Sequence, residues 1–331
     1  MTHTMDRTDT FKLDLETVPR LRDMTRLGGN MPSAAFAETV AVLERGPRVS
    51  PPEDLADRTG YDKSFLTGFP VPVPKPTGER ADDVLRLEEG GTLLHYLHFS
   101  LTMSRSRKIA MFTAVNIDGQ RAVSIKRTPD KWSYDGRVPL DAQLGEELYT
   151  DNLLDRGHLV RREDPNWGSE EEAQVANGDT FHFTNCSPQM HAMNAVTWVG
   201  LENYIIKNAR VWKDRVTVFT GPVFSESDLT YRGVGIPLAF WKVLAFLSDS
   251  GRPSATAYMV DQENELSSLE AAFGRYKTYQ RSIRYVEQIS GLDFGRLKTY
   301  DGFSNEEIQN GAPRGRQRVE TVLESPDDIR V

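Results

Sequence analysis

A chain of 331 residues with 38% hydrophobic and 27% charged residues is long enough for one sizeable core, or one core with a smaller lobe, and too apolar for general disorder. Its formal net charge of -8 speaks against a broad basic surface that grips nucleic acid through many phosphates, but allows a local basic cleft assisted by a divalent cation. The lone Cys186 cannot form an internal disulfide and supplies no Cys/His zinc spacing, and no stretch nears the roughly 18–20 consecutive apolar residues of a membrane span. The opening residues lack the apolar run of a secretory signal, so the expectation is a cytoplasmic protein with no membrane association.

In chain order, residues 33–44 carry apolar positions at helical intervals behind Ser33, and Pro51-Pro52 follows soon after. Residues 1–58 therefore read as a small, mainly helical lobe, and the proline-rich run 70–76 as an extended connector. Residues 94–101 and 109–116 read as two strands of a hairpin around the basic turn 104–108. Further strands are expected over 122–126, 180–184, 216–220, 240–246 and 255–260, and helices over 170–176, 195–208, 266–273 and 279–290. No regular βαβ alternation and no glycine-rich phosphate loop is present, so the fold class is α+β, a mostly antiparallel central sheet with flanking helices. The stretch 301–331 reads as a polar tail behind a domain spanning 59–300.

The chemistry concentrates in two segments. Asp155-Arg156-Gly157-His158 packs an acid, a guanidinium, a glycine and an imidazole between apolar flanks. In isolation such a histidine reads most simply as a satisfied strand-end residue. The second segment runs from Thr184-Asn185 through Pro188-Gln189 to Asn194, which sits where a helix N-cap is expected. Trp198, Leu201 and Ile205 follow at spacings of three and four and read as that helix's buried stripe.

Asp-Arg-Gly-His, then Thr-Asn-x-x-Pro-Gln, then Asn-x3-Trp-x2-Leu-Glu closely resembles the DNA/RNA nonspecific endonucleases, a ββα-metal (His-Me finger) family that includes secreted bacterial nucleases and mitochondrial endonuclease G. The resemblance extends from about Gly60 through Phe112–Gly119 and Phe219–Phe224 to Phe294, and it departs from the common Asn-Gln-x-Ala-Trp pattern at Ala195. It implies His158 as general base, Asn194 as the protein ligand of one Mg²⁺ (Mn²⁺ as a substitute), and Glu202 as a helper acting on that metal through water. Eight helical residues separate Asn194 from Glu202, about 12 Å and about 80° beyond two full turns, which favours an indirect role for Glu202.

The same resemblance implies hydrolysis of DNA and RNA phosphodiesters with little sequence preference and 5′-phosphate products, and it is compatible with a homodimer. For the phosphate-binding cation Arg127 ranks first and Arg137 second, each otherwise a solvated surface charge, with Arg156 as a neighbour of His158. His95 and His98, three apart in an expected strand, point to opposite faces and make a poor ligand pair. A catalytically silent nucleic-acid or protein-binding module, or a phosphodiesterase for a smaller substrate, are the alternatives. An unrestrained nuclease in the cytoplasm would attack its own cell, so a regulatory or inhibitory protein, or the 1–58 lobe itself, is expected to restrain it.

Overall fold

The structure, a computed structural model, describes residues 48–152, 154–190, 202, 205, 214–248, 250–262, 278–302 and 321–323. Its strands in chain order are β1 (Val49–Ser50), β2 (Lys75–Pro76), β3 (Leu94–Tyr96), β4 (Phe99–Met103), β5 (Ala110–Asp118), β6 (Tyr134–Asp135), β7 (Leu154–His158) and β8 (Cys186–Met190). There follow β9 (Arg215–Val223), β10 (Leu229–Tyr231), β11 (Val234–Ile236), β12 (Ala239–Leu247), β13 (Pro253–Asp261), β14 (Thr278–Arg281), β15 (Leu292–Asp293) and β16 (Thr321–Leu323). Eight of them form one sheet in the order β16-β14-β13-β12-β9-β5-β4-β3, and every neighbouring pair is antiparallel. The α+β class with a large antiparallel sheet is thus the architecture observed.

Both faces of the central strands are covered. All nine residues of β5 are buried, because alternate side chains enter two separate cores. Along β12, Trp241, Val243 and Ala245 enter one cluster with Phe219 and Ile283, while Phe240 and Leu244 enter the other with Val115, Val218, Leu159 and Ile205. Lys242 stands on the second face, directly across from Thr220 of β9, as a charged residue in an otherwise apolar strand.

Several expected elements take a different form. Residues 94–101 are two strands rather than one, since the chain reverses at Leu97-His98, where His98 adopts a φ of 70°. His98 consequently stacks on Trp167 at 3.4 Å and His95 meets Ser100 Oγ at 2.9 Å, so the two histidines are separated by a turn and not by strand alternation. Residues 122–126 make only an isolated bridge, Ala122 to Trp167. Residues 180–184 lead into a 3-10 turn, Phe183–Asn185, and the strand starts afterwards at Cys186. Thr278–Arg281 joins the sheet, and the helix begins only at Ile283, capped by Ser282 Oγ accepting from Tyr285 N. The other three strands, over 216–220, 240–246 and 255–260, and the helix over 170–176 are present with longer bounds.

The expected helices over 33–44 and 266–273 lie outside the described residues, as does the one over 195–208 apart from helical Glu202 and Ile205. Residues 48–58 are tied to the body: β1 pairs with β6, Leu55 is in the core, and Arg58 binds Asp179 at 2.7 Å. Within the stretch 301–331, β16 adds an edge strand to β14, and Asp301 accepts from Ile283 N.

One residue joins the β7–β8 hairpin to this sheet. Buried Gln262, just past β13, accepts from Met190 N at 2.8 Å and donates to Pro237 O at 2.6 Å and Pro188 O at 3.4 Å. Replacing it strands buried backbone groups. Gln262→Ala is expected to cost about 2–3 kcal/mol in urea denaturation, well above a neutral surface change.

Candidate active site

The two chemically loaded segments meet in the β7–β8 hairpin. Its register sets His158 against Cys186, Gly157 against Ser187, Arg156 against Pro188 and Asp155 against Gln189. Gly157 is required by packing, because a Cβ there would lie 2.1–2.5 Å from the Gln189 side chain. Asn185 fixes the backbone that follows the histidine. Its Oδ1 accepts from Val160 N at 2.9 Å, while Nδ2 donates to Val160 O at 2.9 Å and Thr180 O at 3.0 Å, and its own carbonyl accepts from Leu159 N at 2.9 Å.

The His158 ring lies between Trp132, at 4.8 Å and 47°, and Phe181, at 5.0 Å and edge-on. Its Nε2 is sealed from solvent and has no hydrogen-bond partner. Burial, with Arg162, Arg127 and Arg161 nearby, pushes the imidazole down to about 3. The ring is therefore neutral at physiological pH, and in the tautomer with its proton on Nδ1 the lone pair of Nε2 is the group that can accept a proton.

A second polar group occupies the Lys242 face of the sheet. The ammonium of Lys242 donates to Thr220 Oγ1 at 3.0 Å and lies 3.1 Å from Glu202 Oε1. Both charged side chains are nearly inaccessible, at 1% and 8% exposure, so each needs the other to offset desolvation. Burial also raises Asp164 to about 7, Lys242 drawing it down and Glu202 pushing it up. Asn194 lies outside the described residues, and among the described residues no group of three or more His, Cys, Asp or Glu could hold a metal ion.

Residues 77–300 match the family model described as DNA/RNA non-specific endonuclease. The chain belongs to that family. It is 42% identical over 231 residues to an uncharacterized protein, y4fB, of Sinorhizobium fredii, which covers 62% of this chain and 33% of that one. It is 31% identical over 160 residues to mitochondrial endonuclease G of Bos taurus, covering 44% of this chain and 49% of the relative. The chain thus spans half or less of the length of these relatives. In a crystal structure of the EndoG/EndoGI complex, one chain superposes with a TM-score of 0.50 at 17% identity, covering 61% of this chain and 85% of that chain, a likeness of fold.

Within this family framework the remaining candidates separate by their partners. Arg156 shares the His158 side of β7 by strand alternation, but its guanidinium is engaged by Glu146, with Nε–Oε2 at 3.0 Å, and lies over the Tyr149 ring. Arg127 is 74% exposed with only a 3.7 Å contact to Asp130, which leaves it available to an incoming anion. Arg137 is no such cation. It clamps buried Asp135 with Nε and Nη2 at 3.0 and 2.7 Å and donates to His95 O, a structural tie far from a free charge. His182 likewise bonds Asp179 O and Ser50 Oγ, each ring nitrogen occupied. Cys186 is buried against Tyr149 OH, and burial pushes its thiol up to about 12, which makes it a poor nucleophile.

Sequence reasoning missed Lys242, Thr220 and Asp164. The signal for the first was present, a lone charge in the apolar run Ala-Phe-Trp-Lys-Val-Leu-Ala-Phe-Leu. Asn185→Ala, which frees three buried backbone groups beside His158, is expected to lower stability by about 3 kcal/mol. Displacement of His158 should also reduce turnover roughly 100-fold, read by comparing kcat on a nucleic-acid substrate with the denaturation midpoint.

Proposed function

We propose that this chain is a metal-dependent endonuclease that hydrolyses phosphodiester bonds of DNA and RNA with little sequence preference, using His158 as general base. The observation that carries the reading is the neutral, unpartnered Nε2 of His158 in a setting of arginines. A neutral base beside Arg127, Arg161 and Arg162 suits a phosphate, whose negative charge the guanidiniums attract while the imidazole keeps its lone pair. Contact with the sugar-phosphate backbone rather than the bases accounts for low sequence preference.

The residues fit a hydrated divalent cation. Glu202 is buried with Oε1 3.1 Å from the Lys242 ammonium, and its remaining carboxylate lone pairs can accept from a metal-bound water. Asn194 would supply the direct amide ligand, with Mg²⁺ or Mn²⁺ as the ion, since Mg²⁺ keeps most of its waters and takes only one or two protein oxygens. When bound, the cation supplies Lewis-acid stabilisation of the charge on the phosphate and the departing 3′-oxygen. His158 Nε2 takes the proton of the attacking water, Trp132 and Phe181 hold the ring in place, and Arg127 meets the scissile phosphate from its exposed position. Arg156, held by Glu146, positions the strand that presents His158. The product carries a 5′-phosphate.

A cytoplasmic location and homodimeric assembly belong to the same reading. So does restraint by an inhibitory protein or by the 1–58 segment; the related EndoG structure is itself a complex concerned with inhibition.

Plasmid DNA and RNA should be degraded with Mg²⁺ or Mn²⁺ and spared with chelator, and His158→Ala should lower the rate about 10²–10⁴-fold. Nucleic acid bound but left uncut by the wild type would sink the proposal. The pH profile is a separate check. A base functions above its pKa, and with His158 already pushed down to about 3, kcat/KM should show no fall near pH 6.5 and stay level from pH 8 to 5. An inflection near 6.5 would contradict the burial of the imidazole.

A further inference from the structure

We propose that Lys242 is a positioning residue that sets the carboxylate of Glu202 for its work at the cation site, a proposal that rests on the endonuclease reading above. An ammonium inside an apolar strand is costly. It is retained in native proteins only where its charge and protons are met. Here the face formed by Phe240, Lys242 and Leu244 is otherwise hydrophobic, and Phe240 and Lys242 are almost completely buried.

The way Lys242 meets its partners is informative. Its directed hydrogen bond goes to Thr220 Oγ1 at 3.0 Å, its cross-strand neighbour in the register of β9 and β12. Towards Glu202 it makes a 3.1 Å ion contact with Oε1. The ammonium therefore holds the carboxylate in place, and the carboxylate's further lone pairs can accept from a water. Thr220 completes the device: its hydroxyl anchors the end of a long, flexible side chain, so the position of Nζ, and through it of Glu202, is inherited from the sheet. Rigid secondary structure thus reaches a carboxylate on the helix through one cross-strand pair.

The test compares wild type with Lys242→Met, Lys242→Arg, Glu202→Gln, the double variant Lys242→Met/Glu202→Gln, and Thr220→Val. Two readouts are used: the Mg²⁺ concentration giving half of the Mg²⁺-induced rise in Tm without nucleic acid, and kcat and KM on plasmid DNA. Lys242→Met is expected to raise the Mg²⁺ midpoint and lower kcat, each about tenfold or more, with KM for DNA nearly unchanged, and Lys242→Arg to recover part of both. In the Glu202→Gln background the Met substitution should add less than about a twofold further loss, because both act through one carboxylate. Should Lys242→Met fail to fold, Thr220→Val, which keeps the charge pair, is expected to shift both readouts in the same direction by about threefold. A folded Lys242→Met, or failing that Thr220→Val, with the wild-type midpoint and kcat overturns the proposal. Full multiplicative losses in the double variant also overturn it. Failure of the endonuclease reading looks different: the wild type itself neither cuts nor shows a Mg²⁺-dependent Tm.

Discussion

The antiparallel pairing of Leu154–His158 with Cys186–Met190 is the constraint from which the rest of the site follows. Two strands of five residues cannot hold a catalytic geometry by themselves, since an isolated hairpin is marginal in water. The hairpin is held at both ends by side-chain amides. Asn185 locks the backbone beyond His158, and Gln262 anchors the far strand to the main sheet at the end of β13. Each amide satisfies buried backbone donors and acceptors that no ladder reaches, so position and polar satisfaction are solved by the same bonds.

Around that hairpin, opposite charges are sorted by depth. The protein as a whole is acidic, at -8, but the charged groups acting on His158 are arginines: Arg127 is exposed, while Arg161 and Arg162 are largely buried. The acids, Glu202 and Asp164, lie deeper, beside Lys242. Local arrangement rather than net charge decides what the cleft attracts. The arginines that do not belong to this surface are consumed elsewhere, Arg137 on Asp135 and Arg58 on Asp179, each closing a buried carboxylate.

Much of the fold was legible where burial produces a clear pattern. The strands around Phe219, Val243 and Ala257 are apolar enough on both faces to declare themselves, and Ser169 with Glu172 marks the start of its helix through a capping box. The failures have local causes. The run 94–101 is continuous in hydrophobicity but reverses at His98, whose left-handed conformation no periodicity announces. The stretch 278–281 carries a helix-like pattern, yet the open edge of β13 offers backbone partners that win over local preference.

Sequence by itself pointed to the family and singled out His158 as the candidate base, because Asp155–His158, Asn185, Gln189 and Glu202 are chemically specific residue types at specific intervals. It also marked a buried charge in β12 without saying what that charge meets. Only the tertiary structure decided that Lys242 faces Glu202 and Thr220, that Arg137 is spent on Asp135, and that Arg127 is open to an anion. The physical reason is that charge pairing depends on distance and desolvation across strands far apart in the chain, and neither is encoded in the local spacing of residues.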